Sequence, residues 1–242
     1  MPKYDESLYI QVPDDGTTIW KYLSLDKLLA LLVSSELHLT RLDQFKDPWE
    51  GALSRTSKHL LEEILSTAQD KQLLMEQICQ APRLAFVNCW HASDYESAAL
   101  WDQYGKNAGI SIRSSVGRLK ESIRSRKDIL IGSVKYIDYQ IEEALKWRHP
   151  NIQSVFSKRK SFEHEREIRI ARWEYDVAGR NPKNDKPKFL KLRVDLSTIL
   201  ESIQLSPESP TWMLPTVMEL FRRFDLGDVS IKRSSLYDPI LR

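Results

Sequence analysis

The sequence predicts an α+β fold in which a mixed, mainly antiparallel sheet is flanked by helices, within a single domain spanning residues 1–242. Segments with an apolar period of two alternate along the chain with segments of period near 3.6. No internal repeat or low-complexity run interrupts them, and one linker-like stretch, residues 178–188, reads as a long polar hairpin loop. With 242 residues, 41% hydrophobic and 29% charged, the chain is large enough to close a core without disulfide or metal support.

The elements follow in order. Residues 18–23 alternate and form a first strand, and Ser24 stands where a helix N-cap belongs. Leu25, Leu28, Leu29 and Leu32 share one helical face, which predicts an amphipathic helix over 25–34. A second strand covers 37–40, and Gln44-Phe-Lys-Asp-Pro-Trp-Glu-Gly51 then breaks the pattern as a loop. A long helix is expected around 56–79, with Leu60, Leu61, Ile64, Leu65, Leu74 and Ile78 on its apolar face. Residues 84–90 are mostly apolar and suit a strand buried on both faces. Ser93 and Glu96 have the spacing of a capping box, so a helix begins at 94 and runs through Trp101 and Tyr104 to a stop at Gly105. Further strands are expected at 109–113, 129–137, 165–173, 189–194, 201–205 and 229–231, with helices at 115–127, about 140–148 and 212–224.

Composition excludes several classes. The longest aliphatic run, Leu28 to Val33, has six residues, whereas a membrane-spanning helix needs about 20. The polar, acidic start Met1-Pro-Lys-Tyr-Asp-Glu6 does not read as a secretory leader, so a cytoplasmic location is expected. Cys79 and Cys89 alone build neither a disulfide framework nor a four-ligand zinc site, and both are expected as reduced thiols. The formal net charge of +2 hides a basic middle: from Lys106 to Arg193 there are 22 Lys or Arg against 11 Asp or Glu. Such an excess attracts phosphate-rich partners, nucleic acid or a dinucleotide, although the same residues also suit solvated faces of several elements.

Three constellations can carry chemistry. In Phe162-Glu-His-Glu-Arg-Glu-Ile-Arg-Ile170, a strand would project Glu165, Glu167 and Arg169 together. Two carboxylates and a guanidinium on one face suit a reaction in which positive charge develops at a sugar carbon, as in glycosidic cleavage or loss of nicotinamide from NAD. The plainer alternative is a polar edge strand in which Arg169 pairs with a glutamate. A zinc-protease pattern starting at His164-Glu165 fails because Ile168 occupies the second histidine position, and no metal site is expected. In the loop Asp47-Pro-Trp-Glu50, proline restricts the backbone and holds Trp49 and Glu50 in a defined pose; the alternative is that Trp49 fills the core and Glu50 caps the following segment. Finally, Trp101 and Tyr104 are three apart on the capped helix and, with Trp90, would line an aromatic slot for nicotinamide or a base, or else belong to the core.

In this order, Trp20-Lys-Tyr-Leu-Ser24, Phe45-Lys-Asp-Pro-Trp-Glu50, Asn88-Cys-Trp-His91, Glu96 through Trp101 to Tyr104, Gly109-Ile-Ser-Ile112 and Phe162 to Arg169 resemble the signature blocks of a bacterial family, domain of unknown function 2971, over roughly residues 18–240. The sequence of strand, short helix, strand and late Glu-x-Glu strand is also similar to the ADP-ribosyltransferase scaffold, whose first strand grips NAD and whose late glutamate holds the nicotinamide ribose. That resemblance implies catalytic Glu167 with Glu165 as its companion, and NAD gripped at Lys21, Tyr22 and Ser24; the residue patterns add Trp90, His91, Trp101, Tyr104 and Arg169 as further candidates for holding it. Asp47, Trp49 and Glu50 would form a substrate loop. The chain departs from the scaffold where Lys21 or Tyr22 replaces the usual first-strand Arg or His, and it lacks a clean Ser-Thr-Ser motif. The implied activity is ADP-ribosyl transfer from NAD to a macromolecule, nucleic acid or protein, in a defence or toxin setting. Its rivals are a non-catalytic nucleotide- or protein-binding module and a metal-dependent nuclease.

Overall fold

The computed structural model describes residues 10–67, 69, 71–72, 75, 80–105, 109–124, 129–141, 150–174 and 187–239. The strands are β1 (Thr18–Ser24), β2 (Glu36–Arg41), β3 (Ala85–Ala92), β4 (Gly109–Ser115), β5 (Ile129–Ser133), β6 (Lys135–Ile137), β7 (Ser157–Arg159), β8 (Glu167–Trp173), β9 (Phe189–Arg193), β10 (Ser202–Leu205) and β11 (Ser230–Arg233). The helices are α1 (Leu25–Ser34), α2 (Arg55–Ile64), α3 (Ala81–Leu84), α4 (Ala98–Tyr104), α5 (Val116–Ser122), α6 (Pro150–Val155), α7 (Leu196–Ile199) and α8 (Met213–Arg223). The fold is α+β, with mixed, mainly antiparallel strand pairing and flanking helices. No helix among the described residues is long and apolar enough to cross a membrane. The chain gathers into two compact units, each made from three separate stretches.

One unit comprises residues 14–37, 90–126 and 192–242. β1 pairs antiparallel with β4 over its full length, from Thr18 opposite Ser115 to Ser24 opposite Gly109. β10 extends β4 antiparallel and β11 joins β10 in parallel. The end of β3 lies on the other side of β1, with Trp20 opposite His91. Ile19, Leu23, Ile110, Ile112, Ile203 and Leu205 are buried together with Leu28 and Leu32 of α1, Leu119 of α5 and Phe221 of α8.

The predicted helix over 25–34 is observed, but its buried stripe is Leu28, Leu31 and Leu32, while Leu29 faces outward. At about 100° per residue both sets fit one arc of the helix, and packing on the sheet turns it so that Leu31 rather than Leu29 meets the core. Ser35, at φ 53°, closes α1 in the left-handed conformation. The capping box is corrected. Ser97, not Ser93, caps α4, its hydroxyl accepting from Leu100 N at 3.4 Å, and the Glu96 carboxylate turns instead to Trp101 and Ser234. Gly105 follows α4 at φ −103°, so its lack of a side chain serves close packing rather than a left-handed turn. A Cβ there would run into the Trp101 ring, and one on Gly109 would overlap the Gly105 backbone.

The other unit comprises residues 1–13, 38–89 and 127–191. β5 and β8 pair antiparallel, from Ile129 opposite Arg172 to Ser133 opposite Ile168, and β8 in turn pairs with β3. β2 pairs with β3 through Thr40 and Val87. Ile10, Leu42, Ala85, Val87, Val155, Phe156 and Ala171 form the core. The single strand expected over 129–137 is two strands. Val134 N donates to Glu167 O at 2.8 Å, after which 135–137 leaves β8 and pairs in parallel with β7. The strand expected from 165 begins at Glu167, because Lys160–Glu165 is a 3-10 turn and Arg166 adopts φ 40°. The long helix expected around 56–79 is broken after α2 by a 3-10 turn over Leu65–Thr67; residues 71, 72 and 75 are helical again, and the rest of the expected span beyond Thr67 lies largely outside the described residues. The helix expected near 140–148 falls almost wholly outside them, as does most of the 178–188 loop.

Gly51 has φ +74°, and a Cβ there would meet Leu42 Cδ2 at 2.6 Å and Pro82 Cγ at 3.1 Å. Gly51→Ala combines left-handed strain with a clash against a buried leucine, a loss of about 2 kcal/mol. The expected drop in thermal midpoint is about 4–8 °C for a chain of this size, read by circular dichroism.

Candidate active site

The site in the unit containing β8 is built by two tight turns. In Asp47-Pro-Trp-Glu50, Asp47 Oδ1 accepts from Trp49 N at 3.2 Å. The same carboxylate takes Arg159 Nε at 3.0 Å on Oδ2 and Arg159 Nη2 at 2.8 Å on Oδ1. This two-point clamp and the left-handed Gly51 direct Glu50 inward, where it is 4% exposed. The second turn is the 3-10 segment ending at Glu165. Its left-handed Arg166 brings Glu165 alongside Glu167 although the two are not on one strand.

Lys158, on β7, stands at the centre. Its Nζ lies 2.5 Å from Glu165 Oε2, 2.6 Å from Glu167 Oε1 and 3.3 Å from Glu50 Oε1. Arg169 uses all three guanidinium nitrogens: Nε donates to Glu167 Oε2 at 2.7 Å, Nη1 to Val155 O at 2.7 Å and Nη2 to Glu50 Oε2 at 2.8 Å. It is fully buried over the Phe45 ring, and Lys158 lies over Phe162. Glu167 N donates to Tyr136 Oη at 2.7 Å. Trp49 packs against Tyr139, ring centroids 5.2 Å apart. Thus Asp47, Trp49, Glu50, Glu165, Glu167 and Arg169 are gathered in one unit.

The remaining candidates lie in the other unit and divide between two faces of β1. The register Trp20 opposite His91 and the alternation of strand side chains place Tyr22 with His91, and Lys21 with Trp90, on opposite faces. Tyr22 packs edge-on against Trp101, centroids 5.0 Å apart at 88°, and its hydroxyl accepts from Ser97 N at 2.7 Å. Burial, opposed by that backbone hydrogen bond and aided by the Glu96 charge, pushes the Tyr22 phenol up to about 12. Lys21 Nζ lies 5.6 Å from the Trp90 ring centroid. The expected slot of Trp90, Trp101 and Tyr104 is therefore corrected. Trp90 and Trp101 are buried on different faces, while Tyr104 is largely exposed and accepts from Gln103. Ser24 caps α1 without a side-chain capping bond.

Residues 100–170 match the family described as protein of unknown function DUF2971. The matched span contains Lys158, Glu165, Glu167 and Arg169, and also Trp101 and Tyr104. No curated protein matches the chain. One similar solved structure is Thermus sp. 2.9 DarT in complex with ADP-ribosylated ssDNA, with 9% sequence identity, coverage of 93% of this chain and 97% of that chain, and a TM-score of 0.38.

Three buried carboxylates face two buried cations around Lys158 and Arg169, so the cluster carries an excess negative charge unless one acid keeps its proton. Glu165 is the acid that keeps it. Burial, reinforced by its hydrogen bond to Glu167 and opposed by Lys158, pushes it up to about 7. For Glu167, burial also acts upward, but the Arg169 charge, the hydrogen bond from Glu165 and the Lys158 charge outweigh it and hold the group well below the carboxylate range. Lys158 stays cationic because the charges of Glu167 and Glu50 overcome the downward push of burial. Burial keeps Tyr136 and Tyr139 as neutral phenols. The result is two adjacent carboxyl groups with opposed shifts, one fixed as an anion and one that exchanges its proton near neutrality.

Sequence reasoning missed Lys158, Tyr136 and Tyr139. Lys158 sits within Lys158-Arg-Lys160, whose charge gave no sign that the first residue turns inward. Among the described residues, no group of three or more His, Cys, Asp or Glu side chains is placed to hold a metal ion.

The two acids impose opposite pH dependences on stability. Glu165, raised when folded from an ordinary 4.5 to about 7, makes the folded state hold an extra proton between those values, so its contribution falls as pH rises through that window. Glu167, depressed when folded, contributes stability above its unfolded value that is lost as pH falls through the acid range. Glu165→Gln is accordingly expected to gain urea midpoint relative to wild type at pH 8, and that advantage shrinks by pH 5. A difference that does not change with pH would contradict the assignment. Arg169→Met leaves two buried carboxylates underpaired and is expected to lose about 3–5 kcal/mol in the same measurement.

Proposed function

We propose that this protein is an ADP-ribosyltransferase-like enzyme that takes NAD and modifies a macromolecule, with Glu167 and Glu165 as its catalytic carboxylates. The observation that carries the reading is the split between these neighbours: one anion held by Arg169 and Lys158, and one acid poised near pH 7. NAD supplies an ADP-ribosyl group whose nicotinamide leaves with the bonding electron pair. Glu167, ionised throughout the neutral range, stabilises positive charge developing at a glycosidic carbon. Glu165, once deprotonated, accepts the proton of an attacking hydroxyl or amine.

Nucleic acid is the acceptor class favoured by the excess of 22 basic over 11 acidic residues between Lys106 and Arg193.

A second reading has its own observation. Arg169 is fully buried with every guanidinium nitrogen bonded, which suits an ion-pair cluster that only holds the fold of a nucleotide- or protein-binding module. Activity separates the two. Single-turnover release of nicotinamide from NAD is expected to fall about 100-fold or more in Glu167→Gln and in Glu165→Gln. Glu165→Gln removes an ionisation unfavourable to the fold, so its loss of rate is not a loss of structure. The wild-type rate is expected to rise with pH through about 7 as Glu165 becomes the base. Equal rates in wild type and both variants, or NAD binding without nicotinamide release, would leave the binding-module reading.

A further inference from the structure

β11 stands at one end of the strand order, and among the described residues β10 is the only strand it pairs with. The parallel register sets Gln204 opposite Lys232 and Leu205 opposite Arg233, and Ser234 N donates to Leu205 O at 2.9 Å. In such a ladder alternate residues face the neighbour, so Ser230, Lys232 and Ser234 turn their backbone groups toward β10. The N–H and C=O groups of Ile231 and Arg233 therefore point out of the sheet, as the open edge of a strand does. Beside that edge a groove of about 430 Å³ lies between α8 and β11, lined by Pro215, Met218 and Phe221 on one side and by Val229 and Ile231 on the other. Met218 is 52% exposed there. Arg222 and Glu219, also at the groove, are paired with each other. Strand alternation puts Lys232 on the opposite face from Ile231. Lys232 is exposed and has no acidic partner among the described residues, whereas Arg233 is tied to Asp238.

We propose that the outer edge of β11 is a strand-addition site for an extended segment of a partner protein in which acidic and apolar residues alternate. Its backbone pairs with the outward groups of Ile231 and Arg233, its apolar side chains enter the groove beside Met218, and its carboxylates lie over Lys232. The surface selects this occupant in three ways. Outward main-chain donors and acceptors call for extended backbone, whereas a helix would fill the groove and leave them unsatisfied. An apolar groove on one face and a cation on the other call for alternation with a period of two. The cation calls for a carboxylate. A second copy of β11 fits less well, because Ser230-Ile-Lys-Arg233 contains no acid and antiparallel pairing about Lys232 would set two ammonium groups opposite each other. This edge lies in the unit that lacks Glu165 and Glu167, so its occupancy does not depend on the transfer reading.

The test is fluorescence anisotropy with the full chain and a labelled, end-blocked peptide of alternating glutamate and valine. Wild type is expected to bind it at least about fivefold more tightly than the lysine-valine counterpart, and than a peptide of the same composition with its glutamates and valines in separate blocks. Lys232→Glu, at an exposed position that leaves the fold unchanged, is expected to lose the preference for the acidic peptide. Ile231→Pro removes one outward N–H while sparing the ladder to β10, and is expected to weaken binding at least about fivefold, with circular dichroism confirming that it folds. No binding to wild type, equal binding of the lysine or the block peptide, or an undiminished preference in Lys232→Glu would each overturn the site. Sedimentation velocity without peptide tests the second copy. A monomer is expected, and a dimer that Ile231→Pro dissociates would assign the edge to self-association and overturn the proposal.

Discussion

The pairing of Lys158 and Arg169 with three buried carboxylates governs the unit that contains it. Each ion removed from water carries a penalty of several kcal/mol, and only mutual attraction together with complete hydrogen bonding offsets it. The surrounding geometry meets most of that demand, leaving Glu50 Oε1 with the Lys158 charge at 3.3 Å but no hydrogen bond. Arg169 bonds through all three nitrogens, Lys158 reaches three acids, and Asp47 ties Arg159 so that the Glu50 loop keeps its shape. Of the two left-handed residues that this convergence requires, Arg166 carries the local strain, while Gly51 adopts its positive φ without steric cost.

A cluster with more acids than bases cannot hold every charge in a low-dielectric interior, and that constraint links structure to chemistry. The proton settles on Glu165, the acid bonded to Lys158 but not to Arg169, while Glu167 touches both cations. Position therefore assigns the roles: the carboxylate closer to positive charge becomes the fixed anion, and its less supported neighbour becomes the group that exchanges protons near neutrality.

Much of this was legible in the residues. β1 and α1 follow from the period of their apolar positions, and Glu-x-Glu-x-Arg marked the right segment. What failed was reasoning that depended on partners distant in sequence. The 3-10 turn ending at Glu165 has no periodic signature, and Glu165 reached Glu167 by a turn rather than along a strand. Lys158 is indistinguishable by composition from its neighbour Lys160, because burial is decided by carboxylates contributed from Glu50 and from the following turn. Trp90 and Trp101 looked alike as candidate ring-binders, and only the pairing of β1 with β3 shows that they occupy different faces. The helix cap moved from Ser93 to Ser97 for a related reason, since Glu96 is drawn to Trp101 and Ser234.

The most direct test of the central claim is NMR titration of carboxyl-labelled glutamate in the intact chain, with Glu165→Gln and Glu167→Gln used to assign the two signals. The account predicts that Glu165 titrates with a midpoint near 7 and that Glu167 remains ionised across the whole range in which the protein is folded. Two midpoints close to the ordinary glutamate value of 4.5 would contradict it, because they would mean that neither burial nor the two cations distinguishes the acids.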